Sequence, residues 1–303
     1  YISTSIQLGR RRPCLGFDDQ GRLDAAPPPF WEAPLPILFH LPTGPDLGPA
    51  ISSTVARAAA ELTTLYLVPA EDAAALADEE PTLAPALSPV YDRPPKEPPD
   101  LFWLTGSAGE PGQVEKTLAA LPEKIGGVFL DLDAASPAAA LRLTKAGAGV
   151  ILLVADDHGR DKEGRFLKES IRQVHLALVE ESVRDEVSLL VWGGIAMAEH
   201  VAKAIICGVD GVVIDWPLLL ALECRYCEAC TPETCPALIR EIDPDWGVQR
   251  ILNLIGAWRD QLLEVLGAMG IREIRRLRGE MGRAMFYEDL EAEIFGPIFG
   301  ARK

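Results

Sequence analysis

The sequence predicts an α/β fold: a (β/α)8 barrel of the TIM type with a C-terminal cysteine loop and a helical extension. Three observations predict it. Across residues 36–222, short apolar runs alternate with longer amphipathic segments, the rhythm of strand–helix repeats. The runs are almost continuous in Val, Ile and Leu, as in Val150-Ile151-Leu152-Leu153-Val154, a habit of parallel strands covered on both faces. No G-x-G-x-x-G follows the first run, which argues against a dinucleotide-binding doubly wound sheet.

The elements follow in order. Residues 1–35 carry Arg10-Arg11-Arg12 and Pro27-Pro28-Pro29 without sustained periodicity, and an extended N-terminal arm, solvated or wrapped on a partner, is expected there. The barrel is expected over 36–222, with strands at 37–41, 65–68, 101–104, 128–132, 150–154, 188–192 and 211–215. Helices are expected at 50–62, 113–121, 138–146, 167–182 and 198–207. Those strands number seven, so the eighth is expected to hide in the proline-rich stretch 81–99. Residues 223–246 form the cysteine loop, and 247–303 the helical extension. Within 247–270, Ile251, Leu254, Ile255, Trp258, Leu262 and Leu266 share one helical face. This helix, the arginine-rich 271–283 and the aromatic tail 285–299 are expected to cover the barrel or meet a partner.

Composition narrows the function. Of 303 residues, 48% are hydrophobic and 24% charged, enough to bury a large core. A net charge of −16 argues against nucleic acid or an anionic membrane surface, since both select basic patches. It suits a basic partner protein or a solvated acidic surface. No apolar run approaches the ~18 residues of a membrane span, and no signal peptide is visible. Cys14 and Cys207 alone lie outside the cysteine loop, so the chain is no disulfide scaffold and a reducing, cytoplasmic setting is expected. Because the chain opens at Tyr1, a fragment or a processed product is expected.

The chemistry concentrates in Cys224-Arg-Tyr-Cys227-Glu-Ala-Cys230-Thr-Pro-Glu-Thr-Cys235-Pro236. Thiolates are soft ligands that select iron–sulfur clusters, zinc or copper(I). The spacing, C-x2-C-x2-C-x4-C-P, differs by one residue from a bacterial ferredoxin run. Zinc sites usually split their ligands between two knuckles across a longer loop. Cys224, Cys227, Cys230 and Cys235 are therefore candidate ligands of an iron–sulfur cluster, with zinc, disulfides and idle thiols as the alternatives. Asp156, Asp157, His158 and Asp161 end one strand, and Asp131 and Asp133 another. They are either general acid/base groups and metal ligands or solvated turns and helix caps. The arginines of 272–278 either receive an acidic partner or neutralise the chain's own acids.

From about Val150 onward the chain resembles the FMN-binding barrel domain of glutamate synthase, particularly its glutaminase-free archaeal-type relatives. The resemblance rests on Val191-Trp192-Gly193-Gly194, the helix at 198–207, the strand at 211–215, the leucine-rich 218–222, and Cys224, Cys230 and Cys235 with Pro236. It continues through Asp243-Pro244 and Gly270-Ile271-Arg272. It implies that the three cysteines hold a [3Fe–4S] cluster, which Cys227 would extend to [4Fe–4S], and that Gly193 and Gly194 bind the FMN phosphate. It implies an iron–sulfur oxidoreductase component that passes electrons beside the barrel and, with FMN bound, makes glutamate. Other redox subunits, a ferredoxin-like donor or a second copy of the chain are the partners it implies.

The departures from that pattern define the alternative, a flavin-less electron-transfer or scaffold subunit. Where the family has a glycine-rich turn after the last strand, this chain has Asp215-Trp216-Pro217. Two like charges ~4 Å apart cost on the order of 4 kcal/mol near a protein surface, comparable to what a good phosphate site contributes. The strand at 127–132 lacks the family's lysine, Asp156–Asp161 stand in for a glycine-rich loop, and His40-Leu41-Pro42-Thr43-Gly44 replace a small Ser/Gly-rich one. His175 falls where the family has a histidine.

Overall fold

The structure, a computed structural model, describes residues 1–280 except 13, 15, 25, 45–46, 107–111, 228–234, 236 and 238, and the side chain of Arg240. Eight parallel strands close a barrel in the order β10-β3-β4-β5-β6-β7-β8-β9. They are β3 (Ile37–Phe39), β4 (Tyr66–Pro69), β5 (Leu87–Tyr91), β6 (Leu101–Thr105), β7 (Ile125–Asp131), β8 (Val150–Val154), β9 (Ser188–Trp192) and β10 (Gly211–Ile214). Closure comes from β10 on β3, in the register Val212↔Ile37, Val213↔Leu38 and Ile214↔Phe39. Both faces of these strands are covered, so Val150 to Leu153 are fully buried and read as an unbroken apolar run.

The eighth strand does lie in the proline-rich stretch. In β5, Pro89 sits opposite Val68 of β4, and the missing N–H weakens the strand signal at that point. A helix that the apolar rhythm did not suggest, α2 (Ala70–Glu79), follows β4 directly; it is alanine-rich, with Glu71 and Asp72 in its first turn. The remaining helices are α1 (Pro49–Glu61), α3 (Gln113–Ala120), α4 (Ser136–Ala146), α5 (Leu167–Glu180), α6 (Ala198–Cys207), α7 (Trp216–Ala221) and α8 (Pro244–Ala268).

One segment differs from expectation. The stretch expected as an arm contains the hairpin β1 (Ile6–Gly9) and β2 (Phe30–Ala33), with Ile6 facing Ala33 across the ladder. Ile6, Leu8 and Ala33 are buried, and the Ser188 hydroxyl at the start of β9 donates to the Gln7 carbonyl at 3.0 Å. At the start of β10, a Cβ on Gly211 would stand 2.9 Å from Ile6 Cδ1. The hairpin thus stoppers the N-terminal end of the barrel, and alternate residues of β1 supply the apolar face for it.

The helix of the C-terminal extension covers the barrel. Helix α8 packs on α1, α6 and α7, closing the ring of helices. Its face of Ile251, Ile255, Trp258, Leu262 and Leu266 is buried there. Asp243 caps it by accepting from the Trp246 amide at 2.8 Å. The aromatic tail 285–299 lies outside the described residues.

Candidate functional site

The C-terminal ends of the barrel strands form the face on which barrel enzymes bind and react. Here that mouth is filled by four rings. Trp103 of β6 and Phe129 of β7 meet edge to face at 5.8 Å, and Phe129 meets Trp192 of β9 at 6.2 Å. Trp192 stacks on His40, just beyond β3, at 4.4 Å. Contacts from β3, β6, β7 and β9 converge only inside the lumen. The glycine at 127 makes the packing possible, because a Cβ there would collide with the Trp103 ring. Trp103 Nε1 is satisfied by the Ser88 hydroxyl at 2.8 Å. Burial holds His40 neutral, with its pKa lowered to about 4, although its ring contact with the Leu41 carbonyl opposes that shift.

Gly193 and Gly194 follow β9 with φ of +106° and +69°, a region costly for any residue with a side chain. What approaches them is the chain itself. A Cβ on Gly193 would lie 2.5 Å from the Ala155 carbonyl oxygen, and one on Gly194 would lie 2.5 Å from Gly159 Cα. The turn after β8 therefore rests directly on the glycine pair. It is stiffened by Asp156, whose Oδ1 accepts from the amides of His158 and Arg160 at 2.9 and 2.8 Å.

Beyond β10, Asp215 is buried. Its Oδ2 accepts from Trp192 Nε1 at 2.8 Å and its Oδ1 from the Trp216 amide at 2.6 Å. Burial pushes its pKa up and the charge of Asp157 adds to the rise, while the two N–H donors oppose it. The amides that could cradle an anion here are absent or engaged: Trp216 donates to Asp215 Oδ1, Pro217 has none, and Leu218 donates to the Asp215 carbonyl at 2.9 Å. A flavin phosphate placed across the loops after β9 and β10 would meet packed backbone on one side and a carboxylate without free amides on the other. The residues present do not fit FMN in that position.

The other acids serve turns and caps. Asp161 accepts from the Arg165 guanidinium and the Ser170 hydroxyl, both at 2.8 Å. Asp133 accepts from the Ala135 amide at 2.8 Å, and Asp131 pairs with Lys162 at 2.8 Å. His158 and Asp157 are exposed. His175 packs on Gly208 and accepts at Nδ1 from Arg184 Nε at 3.1 Å, away from the mouth.

The cysteine loop leaves α7 through a tight turn. Glu223 and Tyr226 have φ of +68° and +47°, rare for residues with side chains, and they flank Cys224. The Cys224 amide donates to the Leu219 carbonyl at 2.9 Å, fixing the first thiol at the end of α7. Cys224 and Cys235 are half-buried against the core and Cys227 is exposed. Tyr226 meets Trp216 edge-on at 4.6 Å, so the loop touches the residue next to Asp215. Cys230 lies outside the described residues, and among those described no metal-binding group of three His, Cys, Asp or Glu is assembled. The thiolate donor set itself suits a soft metal centre.

Sequence reasoning singled out the glycine pair, Asp215 and the cysteines, and missed the four-ring filling of the mouth. Its one legible trace was Gly127 two residues before Phe129 on an otherwise apolar strand.

Residues 147–272 match the family described as the conserved region in glutamate synthase. The chain is 36% identical over 162 residues to the archaeal glutamate synthase (NADPH) of Methanocaldococcus jannaschii, covering 50% of this chain and 31% of that protein. It is 33% identical over 172 residues to the enzyme of that name from Archaeoglobus fulgidus, covering 51% of this chain and 34% of that protein. The chain thus spans about a third of the length of the curated relatives it matches. Among solved structures, a mandelate oxidase with a monooxide FMN adduct superposes with a TM-score of 0.54 at 17% identity, covering 90% of this chain and 86% of that one. A lactate oxidase from Pediococcus acidilactici gives 0.54 at 18%, covering 91% and 80%. These likenesses show the barrel fold. Over residues 147–272, from β8 through the cysteine loop and α8, the chain is similar to the conserved region of glutamate synthase.

Proposed function

We propose that the chain is an iron–sulfur component of the glutamate synthase type whose barrel works without flavin, as an electron-transfer or scaffold subunit of a larger redox assembly. The observation that carries this reading is the glycine pair at 193–194, against whose Cα atoms the backbone of Ala155–Gly159 packs, beside a loop after β10 whose Trp216 and Leu218 amides are engaged. Asp215 and the stack of His40 on Trp192 support it from the other side of the mouth. Cys224, Cys230 and Cys235 would hold the cluster, with Cys227 as an added ligand. Such a centre supplies one-electron transfer. Electrons would come from another redox subunit or a ferredoxin-like donor in a reducing, cytoplasmic setting. Among the described residues no helix is long and apolar enough to cross a membrane.

A second reading, FMN-dependent glutamate synthesis, is favoured by the family match and by the FMN adduct named for the mandelate oxidase. Metal and flavin analysis of the anaerobically purified chain, with its visible spectrum, separates the two. The expected result is broad iron–sulfur absorption, bound iron that Cys230→Ser abolishes, and no flavin. Stoichiometric FMN would establish the second reading, and iron retained by Cys230→Ser would remove the cluster from this loop. In Cys227→Ser, a [4Fe–4S] EPR signature is expected to become a [3Fe–4S] one.

A further inference from the structure

On the outer side of the Gly159–Gly194 contact lies a cavity of about 280 Å3 between α5 and α6, lined in part by Gly194 and Ile195 of the loop after β9. Among the described residues its polar lining is His158, Lys168, His200 and Lys203, with no carboxylate. In a chain of net charge −16, this cavity gathers basic side chains. The floor is apolar: Ile171 is 1% exposed, while Phe166 stands at the rim with 46% of its surface open. A large ring left open beside an enclosed apolar floor and basic groups is the ordinary make-up of a small-molecule site. Lys203 touches Glu199 at 3.1 Å, a solvent-exposed i,i+4 pair that a bound anion can displace.

We propose that this cavity binds a small organic anion, with its carboxylate, sulfonate or phosphate group among Lys168, His200 and Lys203 and its apolar body on Phe166 and Ile171. The volume is several times the ~30 Å3 share of one water, so an inorganic ion alone leaves the floor uncovered. The site shares no side chain with the cysteine loop or the aromatic mouth, and it stands whether or not the chain carries a cluster.

The test is fluorescence titration of the full chain with 1-anilinonaphthalene-8-sulfonate, beside the uncharged N-phenyl-1-naphthylamine. One saturable site for the anionic probe is expected, weakened about tenfold or more by Lys203→Glu and by Lys168→Glu. The uncharged probe is expected to bind at least about tenfold more weakly than the anion. Phe166→Ala is expected to weaken the anionic probe too. Inorganic phosphate and benzoate as competitors distinguish a phosphate-type from a carboxylate-type natural ligand. Equal binding of both probes, indifference to the charge reversals, or no saturable binding would each overturn the proposal. Should a Glu variant melt early, Lys203→Gln, which keeps the helix surface intact, replaces it under the same criteria.

Discussion

Gly194 shows how one residue type serves two different purposes. In sequence it reads as half of a phosphate cradle, because glycine lets a ligand approach backbone amides. In the structure its φ of +69° and the 2.5 Å approach of Gly159 Cα show that the same freedom admits a neighbouring turn. Gly194→Ala is therefore expected to lower stability by roughly 2 kcal/mol or more, in the absence of any cofactor. Chemical denaturation measures it, and an unchanged midpoint would mean that the turn after β8 does not rest on the glycine pair. The type of residue was legible at this position; its partner was not, because a close backbone approach from 35 residues away leaves no local pattern. Asp215 was more legible. A carboxylate followed by Trp216-Pro217 is poor anion-binding chemistry in any conformation, and the structure adds that it accepts from Trp192.

At the scale of elements, strand periodicity carried most of the barrel. It faltered at β5, where Pro89 breaks the pattern, and at α2, whose alanines give a weak apolar stripe. What no periodicity conveys is the charge cluster that joins α5, β9, β10 and the segment after α8. Asp210, buried just before β10, accepts from Arg184 at 2.8 Å, Arg278 at 2.7 Å and the Leu189 amide at 2.8 Å. Burial alone would raise its pKa, but Arg184 and Arg278 hold it below the usual carboxylate range. Asp210→Ala would leave Arg184 buried without its counter-charge, and a loss of about 3–5 kcal/mol is expected in denaturant titrations. A loss under about 1 kcal/mol would mean that water reaches the guanidinium.

The same elements set the response to acid. Burial lowers the pKa of His40 to about 4, and burial together with Arg184 and Arg278 does the same to His175. An unfolded chain protonates these rings near their ordinary 6.5, well before the folded one does. Their contribution is thus complete above 6.5 and is lost as pH falls toward 4. Asp215, raised by burial, has the opposite sign: the folded state takes its proton first, so acidification favours folding at that one group. With two histidines against one carboxylate, the melting temperature is expected to drop between pH 7 and pH 5, and His40→Phe should shrink the drop. A melting temperature flat across that range would mean that neither histidine is held neutral.

For the molecule as a whole, the hairpin at the barrel's N-terminal end is the structural surprise. Its short strands and prolines read as an arm because β1 exposes too few residues to show alternation. Removal of residues 1–35 from a solvated arm would leave solubility and melting unchanged. Removal of the stopper uncovers the seats of Ile6 and Leu8, and the truncated chain is expected to aggregate or melt many degrees lower in light scattering and calorimetry. The barrel's architecture was legible from rhythm alone, while its two closures, the hairpin below and the rings above, depend on contacts between distant parts of the chain.

That lower closure also orders events in time. The hairpin's strands are made well before its seats on β9 and β10, which begin at Ser188 and Gly211. At ribosomal rates of roughly 5–20 residues per second, Ile6 and Leu8 wait on the order of ten seconds or more before their cover exists. Throughout that interval an apolar strand edge stands open on the nascent chain, the kind of segment that chaperones shield and that pairs wrongly at high expression. Slower synthesis at lower temperature, or a chaperone at hand early, should therefore decide how much of this barrel is recovered folded.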